Sequence, residues 1–137
     1  MANRMTRTVL SLAAAAVVGF GLAGCAGAAE KTVDYTVDSV TLAPGETLVV
    51  DFGEINPSVG DAWVITQEPD AAVLGPGDEE TRYLGEEGMT GAPLEFSYRF
   101  APVGSGTTVI EFEYEFRGSV PEETSDQKTA KIAVTVK

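Results

Sequence analysis

Leu94-Glu95-Phe96-Ser97-Tyr98-Arg99-Phe100 puts an apolar or aromatic side chain at every second position and a polar one between. Successive side chains of an extended strand point to opposite faces, so this spacing buries one face and wets the other. A helix would scatter the same residues around its circumference. Beyond a turn over Pro102 to Gly106, Ile110, Phe112, Tyr114 and Phe116 repeat the pattern against Glu111, Glu113 and Glu115. Ala130, Ile132, Val134 and Val136 close the chain in the same way, with Lys131 and Lys137 outward. The glutamate row is expected to pair across strands with Arg99 or Lys131. Towards the N-terminus, Leu48, Val50 and Phe52 share one face, and Trp63 and Ile65 point inward in a strand that Pro69 ends. Thr81 to Leu84 reads as a short strand. The Asp78-Glu79-Glu80 run before it lacks the alternating ligands of a calcium loop and reads as a solvated acidic turn.

The first apolar alternation carries an irregularity. Val33, Tyr35 and Val37 hold one parity, which switches at Asp38-Ser39, after which Val40 and Leu42 take over. An extra residue there means a β-bulge or a strand passing from one sheet to the other. About seven short strands, turn signals between them and no helical period predict an all-β fold. The architecture is an immunoglobulin-like antiparallel β-sandwich with Phe52, Trp63, Phe96, Phe100, Phe112 and Tyr114 in its core. With one cysteine in the chain there is no internal disulfide.

The N-terminus is of a different kind. Arg4 and Arg7 precede an apolar, alanine-rich run from Val9 to Leu22, and Leu22-Ala23-Gly24-Cys25 follows. This is the order of a secretory signal peptide, and the run is shorter than the ~20 residues of a membrane-spanning helix. The four-residue ending resembles the bacterial lipobox, in which cleavage leaves the cysteine first and its sulfur carries lipid. Residues 1–24 are therefore expected to be a lipoprotein signal peptide. Cys25 is the lipidation site, 25–31 a lipidated tether, and 32–137 one domain. The expected location is extracytoplasmic, at a cell membrane, through lipid on Cys25.

All 21 acidic residues lie beyond Cys25, against seven of the nine basic ones, a side-chain balance of −14. Nucleic acid is excluded as a partner, because phosphate binding needs lysine and arginine to neutralise the backbone. The acidic surface also fits a monomer kept apart by its own charge. The chain has no histidine. That removes histidine-based catalytic triads and histidine metal sites. Adjacent glutamates in polar loops, Glu86-Glu87 and Glu122-Glu123, do not make the facing carboxyl pair of a glycosidase. No enzyme activity, cofactor or metal is expected; what remains is binding.

Three loops stand out: Gly53 to Gly60, Gly85 to Pro93, and Arg117 to Asp126. In the first, Asn56-Pro57-Ser58-Val59-Gly60 combines a residue that fixes φ with one that permits a tight turn, and Trp63 follows. With these residues the chain resembles the chagasin family of cysteine-peptidase inhibitors, immunoglobulin-like domains without disulfides. The family's B–C loop reads Asn-Pro-Thr-Thr-Gly with a tryptophan soon after; here Ser58 and Val59 replace the threonines. Its D–E loop carries Gly-x-Gly-Gly; Gly88-Met89-Thr90-Gly91 keeps the outer glycines and places Thr90 at the third position. Its F–G loop carries Arg-Pro-Trp or a close variant soon after a tyrosine. Here Tyr114 is followed by Glu115-Phe116-Arg117-Gly118-Ser119, in which Phe116 and Arg117 supply an aromatic and a cation but not that motif.

The resemblance implies reversible inhibition of papain-like cysteine peptidases by a wedge of three loops. Asn56 to Gly60 would lie over the catalytic centre, Gly88 to Gly91 along one cleft wall, and Phe116 to Gly118 against the other. A loop stiffened by Pro57 loses little entropy on docking. The alternative is an immunoglobulin-like cell-envelope lipoprotein that binds another protein or ligand without inhibiting. The −14 domain is expected to associate faster with basic than with acidic peptidases and to be slowed by salt. Stopped-flow rates independent of ionic strength would contradict this.

Overall fold

The computed structural model describes residues 29–137. The strands are β1 (Glu30–Asp34), β2 (Ser39–Leu42), β3 (Thr47–Ile55), β4 (Asp61–Gln67), β5 (Asp78–Tyr83), β6 (Leu94–Phe100), β7 (Gly106–Phe116) and β8 (Thr129–Val136). A single 3₁₀ turn, Thr124–Asp126, interrupts the last connection. Two four-stranded sheets result, in the orders β1-β3-β6-β5 and β2-β8-β7-β4. The all-β sandwich is as expected, with eight strands in place of about seven.

The extra strand comes from the parity switch. Residues up to Asp34 pair with β3 in one sheet, and residues from Ser39 pair with β8 in the other. The chain changes sheets across a short turn held by the Asp34 carboxylate, which accepts from the Thr36 amide at 2.9 Å and the Thr36 hydroxyl at 2.6 Å. Those two bonds favour the ionised form and hold the Asp34 carboxyl below the usual carboxylate range. Both pairings made by these short strands are parallel, whereas the other four are antiparallel. Glu30 and Lys31, the last residues of the expected tether, pair with Thr47 and Leu48.

The inward faces match the alternation. Leu48, Val50, Phe96, Phe100, Ile110, Phe112, Ile132 and Val134 are buried, as is Trp63. Val73 and Leu74, from the connection between β4 and β5, plug one end of the same core. In β3 the register shifts between Asp51 and Gly53, and Gly53 has φ 73. This bulge carries the strand on to Ile55, so only Asn56 to Gly60 remains of the loop expected to start at Gly53. Asp78-Glu79-Glu80 is solvated as expected but is no turn. It opens β5, an edge strand exposed along its whole length, and a strand with no buried face leaves no alternation to read. Lys131 pairs with Glu111 at 2.8 Å. Arg99 instead joins Glu30 and Glu80, because β6 lies in the sheet of β1 and β5 and not beside β7.

Candidate functional site

The chain leaves β3, β5 and β7 at the same end of the sandwich, and hydrogen bonds tie the three loops there. In the first loop the Asn56 carbonyl accepts from the Val59 amide at 3.1 Å and the Asp61 amide at 3.2 Å. The Asn56 side-chain oxygen accepts from the Ser58 amide at 3.1 Å, and the Pro57 carbonyl from the Gly60 amide at 3.1 Å. Pro57, with no amide hydrogen, fits a position where no donor is needed. The loop thus folds on itself and pushes Pro57, Ser58 and Val59 into solvent, while Asn56 and Gly60 are half-buried at its base.

Neighbouring groups brace that base. The Asn56 side-chain amide donates to the Gly91 carbonyl of the second loop at 3.1 Å. The Asn56 backbone amide donates to Asp61 Oδ2 at 2.9 Å, and Tyr114 donates its hydroxyl to Asp61 Oδ1 at 2.6 Å. From the third loop the Arg117 amide donates to the Gly60 carbonyl at 2.8 Å, and its guanidinium Nε to the Val59 carbonyl at 3.3 Å.

The second loop is held mainly from below. Tyr83 donates its hydroxyl to the Met89 carbonyl at 2.6 Å, and Leu84 donates its amide to the Pro93 carbonyl at 3.1 Å. Gly88 and Gly91 have φ of 83° and 78°, values that let the chain turn where a side chain would strain it. Met89 and Thr90 are exposed between them, and Met89 does not fold back onto the core.

The third loop begins with a tight turn. Phe116 and Ser119 exchange backbone hydrogen bonds, and both central residues, Arg117 and Gly118, have positive φ, at 54° and 80°. This is the type I′ geometry, which suits glycine at its second central position and is strained by arginine at the first. The guanidinium lies 5.1 Å from the centre of the Phe116 ring.

All twelve loop residues singled out in the sequence, Asn56 to Gly60, Gly88 to Gly91 and Phe116 to Gly118, meet at this end. Arg117, at φ 54, turns its guanidinium onto the first loop, where Nε donates to the Val59 carbonyl. Sequence reasoning also missed exposed apolar neighbours. Tyr83, Leu84 and Val120 are 47%, 39% and 38% exposed. An apolar pair closing an otherwise polar edge strand, Tyr83-Leu84, was the available signal. Asp61 and Tyr114 left none, since their meeting depends on the pairing of β4 with β7.

The Asp61 hydrogen bond, helped by desolvation and by the Asp61 charge, pushes the Tyr114 hydroxyl up from 10 to about 12. The folded value lies above the unfolded one, so the neutral hydroxyl's stabilisation is intact below pH 10. It is lost as pH rises from 10 through 12. Thermal unfolding midpoints followed over that window are expected to fall more steeply for the wild type than for Tyr114→Phe.

The sequence model described as "Chagasin family peptidase inhibitor I42" matches residues 41–135, which covers all three loops. The chain belongs to the chagasin family of peptidase inhibitors. A chagasin-family domain binds peptidases and is not itself an enzyme. No curated protein matches the chain. Among solved structures it is similar to the cysteine protease inhibitor EhICP2 from Entamoeba histolytica, at 19% identity and TM-score 0.55, over 80% of this chain and 96% of that one. It is also similar to PbICP-C, solved in complex with falcipain-2, at 18% identity and TM-score 0.53, over 80% and 99% of the two chains. A third likeness is amebosin, at 16% identity and TM-score 0.53, over 81% and 100%. At these identities the likeness is one of fold.

Proposed function

We propose that this chagasin-family domain reversibly inhibits papain-like cysteine peptidases, with its three-loop end entering the active-site cleft. One observation carries the reading. Of the seven large hydrophobic side chains exposed among the described residues, six lie in these loops or at their feet: Val59, Tyr83, Leu84, Met89, Phe116 and Val120. The seventh, Val103, lies in the turn before β7, whose far end is Phe116. Apolar side chains gathered on one end of an otherwise acidic domain mark a contact surface. The loop joining β3 and β4 presents Pro57, Ser58 and Val59 at its tip. Its compact, self-bonded backbone offers no extended segment to be cut. The family membership and the fold shared with known cysteine protease inhibitors support the same target class.

Papain whose active-site cysteine carries a bulky alkyl group tests the mode of binding. The domain is expected to bind the free enzyme and to lose binding to the alkylated one. Equal binding to both would place the contact away from the cleft.

The lipid anchor fits this arrangement. β1 runs parallel to β3, so Glu30 lies beside Thr47, at the end of the sandwich opposite the loops. β3 spans nine residues, about 30 Å, between those ends. Residues 25–29 extend at most about 17 Å. Lipid on Cys25, which lies outside the described residues, would then hold the domain close to a membrane with its loops facing away. Cys25→Ser is expected to release the protein from membranes and end incorporation of labelled palmitate. Retention of the label would contradict the assignment.

A further inference from the structure

Asp61 is the first residue of β4 and has no part in the apolar tip, yet both its carboxylate oxygens are engaged by the site. Oδ2 takes the backbone amide of Asn56, the residue that opens the first loop, at 2.9 Å. Oδ1 takes the hydroxyl of Tyr114, two residues before Phe116, at 2.6 Å. Tyr114 is itself fixed: its ring centre lies 5.8 Å from that of Trp63, and Lys128 Nζ lies 5.2 Å from the Tyr114 ring centre. Its backbone amide donates to the Lys128 carbonyl at 2.9 Å. One carboxylate therefore links the entry of the first loop to the strand that feeds the third, through two charge-assisted bonds of the stronger kind.

We infer that Asp61 and Tyr114 are positioning residues that hold the first and third loops in one docking-competent arrangement. The inference rests on the inhibitor reading and deepens it. Neither residue needs to touch the peptidase. The Asn56 amide is the last backbone donor before the loop. If it lost its acceptor, the loop could swing about Ile55, and docking would have to restore the geometry at an entropic cost. The links from Arg117 reach the loop at Val59 and Gly60, its C-terminal end, and not at Asn56, whose further bonds run to Gly91 and to the Asp61 amide.

The test measures inhibition constants against papain at 25 °C, where each variant is first shown to be folded by its near-ultraviolet circular dichroism. Tyr114→Phe keeps the ring and loses one bond; Asp61→Ala loses both. Inhibition is expected to weaken about tenfold for Asp61→Ala and several-fold for Tyr114→Phe. Asp61→Asn keeps one acceptor oxygen and is expected to fall between Asp61→Ala and the wild type. The double variant is expected to be no weaker than Asp61→Ala alone, since both changes remove the same link. Amide exchange at Asn56 reads the link without a peptidase and is expected to quicken in Asp61→Ala.

Folded variants with unchanged inhibition constants, beside an inhibitory wild type, overturn the inference and leave the inhibitor reading standing. A folded wild type that does not inhibit overturns the inhibitor reading and takes the docking role with it. Should Asp61→Ala fail to fold, Tyr114→Phe decides: equal potency to the wild type overturns the inference.

Discussion

Phe52→Ala is expected to destabilise the domain by about 3–5 kcal/mol, the largest effect of any single truncation. Phe52 is 5% exposed and touches five other rings. Its centroid lies 4.7 Å from Trp63, 5.0 Å from Phe112, 5.5 Å from Tyr35 and 5.9 Å from both Phe96 and Tyr98. These rings come from both sheets, so the residue joins the two layers that a disulfide joins in antibody domains. Its place is fixed by the bulge at Gly53, which leaves surrounding backbone little freedom to collapse into the space vacated. Native stabilities are roughly 5–15 kcal/mol, so the loss is a large share of the total. Thermal unfolding should fall by about 12 °C or more. Val103→Ala, at a side chain 61% exposed, is expected to shift stability by less than about 0.5 kcal/mol. Equal effects from the two changes would mean that the aromatic cluster does not hold the sheets together.

Gly60→Ala should have the largest effect on inhibition among single-atom additions. Gly60 has φ 119, a backbone conformation that side chains rarely adopt, and strain of this kind costs about 1–3 kcal/mol. A methyl group there would also lie 2.5 Å from Arg117 Cγ and 3.0 Å from the Arg117 amide nitrogen. The side chain can move, but that nitrogen is backbone and donates to the Gly60 carbonyl. The first and third loops must separate, and the shape they present together is lost. A weakening of about thirtyfold, near 2 kcal/mol, is expected in the inhibition constant, with a smaller fall in thermal stability. Arg117→Gly in the same chain removes the clash with Cγ and the αL strain at 117, while the φ strain at Gly60 stays. It should recover part of the stability but not the potency. Undiminished potency in Gly60→Ala would show that the third loop does not share the docking surface with the first.

The alternation over Leu94–Phe100 and its repeats made the strands and the core legible, because burial on one face writes a two-residue period into the residues themselves. The parity switch at Asp38-Ser39 likewise marked the change of sheet. Features that depend on which distant segments meet left no such trace. The parallel pairings of β1 with β3 and β2 with β8 are of this kind, and so is the meeting of Asp61 with Tyr114. The all-exposed β5 has no buried face to record. At the loop end, Asn56-Pro57 and the glycines were readable because unusual backbone demands unusual residues. Arg117 left no such trace: it stands at φ 54, where an asparagine or glycine would be ordinary, and its bond to the Val59 carbonyl depends on how the first and third loops meet.

The central claim is that this end of the sandwich closes a cysteine-peptidase cleft. Titration of residues 26–137 against papain tests it most directly, with substrate turnover as the readout and near-ultraviolet circular dichroism showing that the domain is folded. Saturable, reversible inhibition that competes with substrate, at or below about micromolar concentrations, is the result expected. Full papain activity in the presence of tens of micromolar folded domain would contradict it.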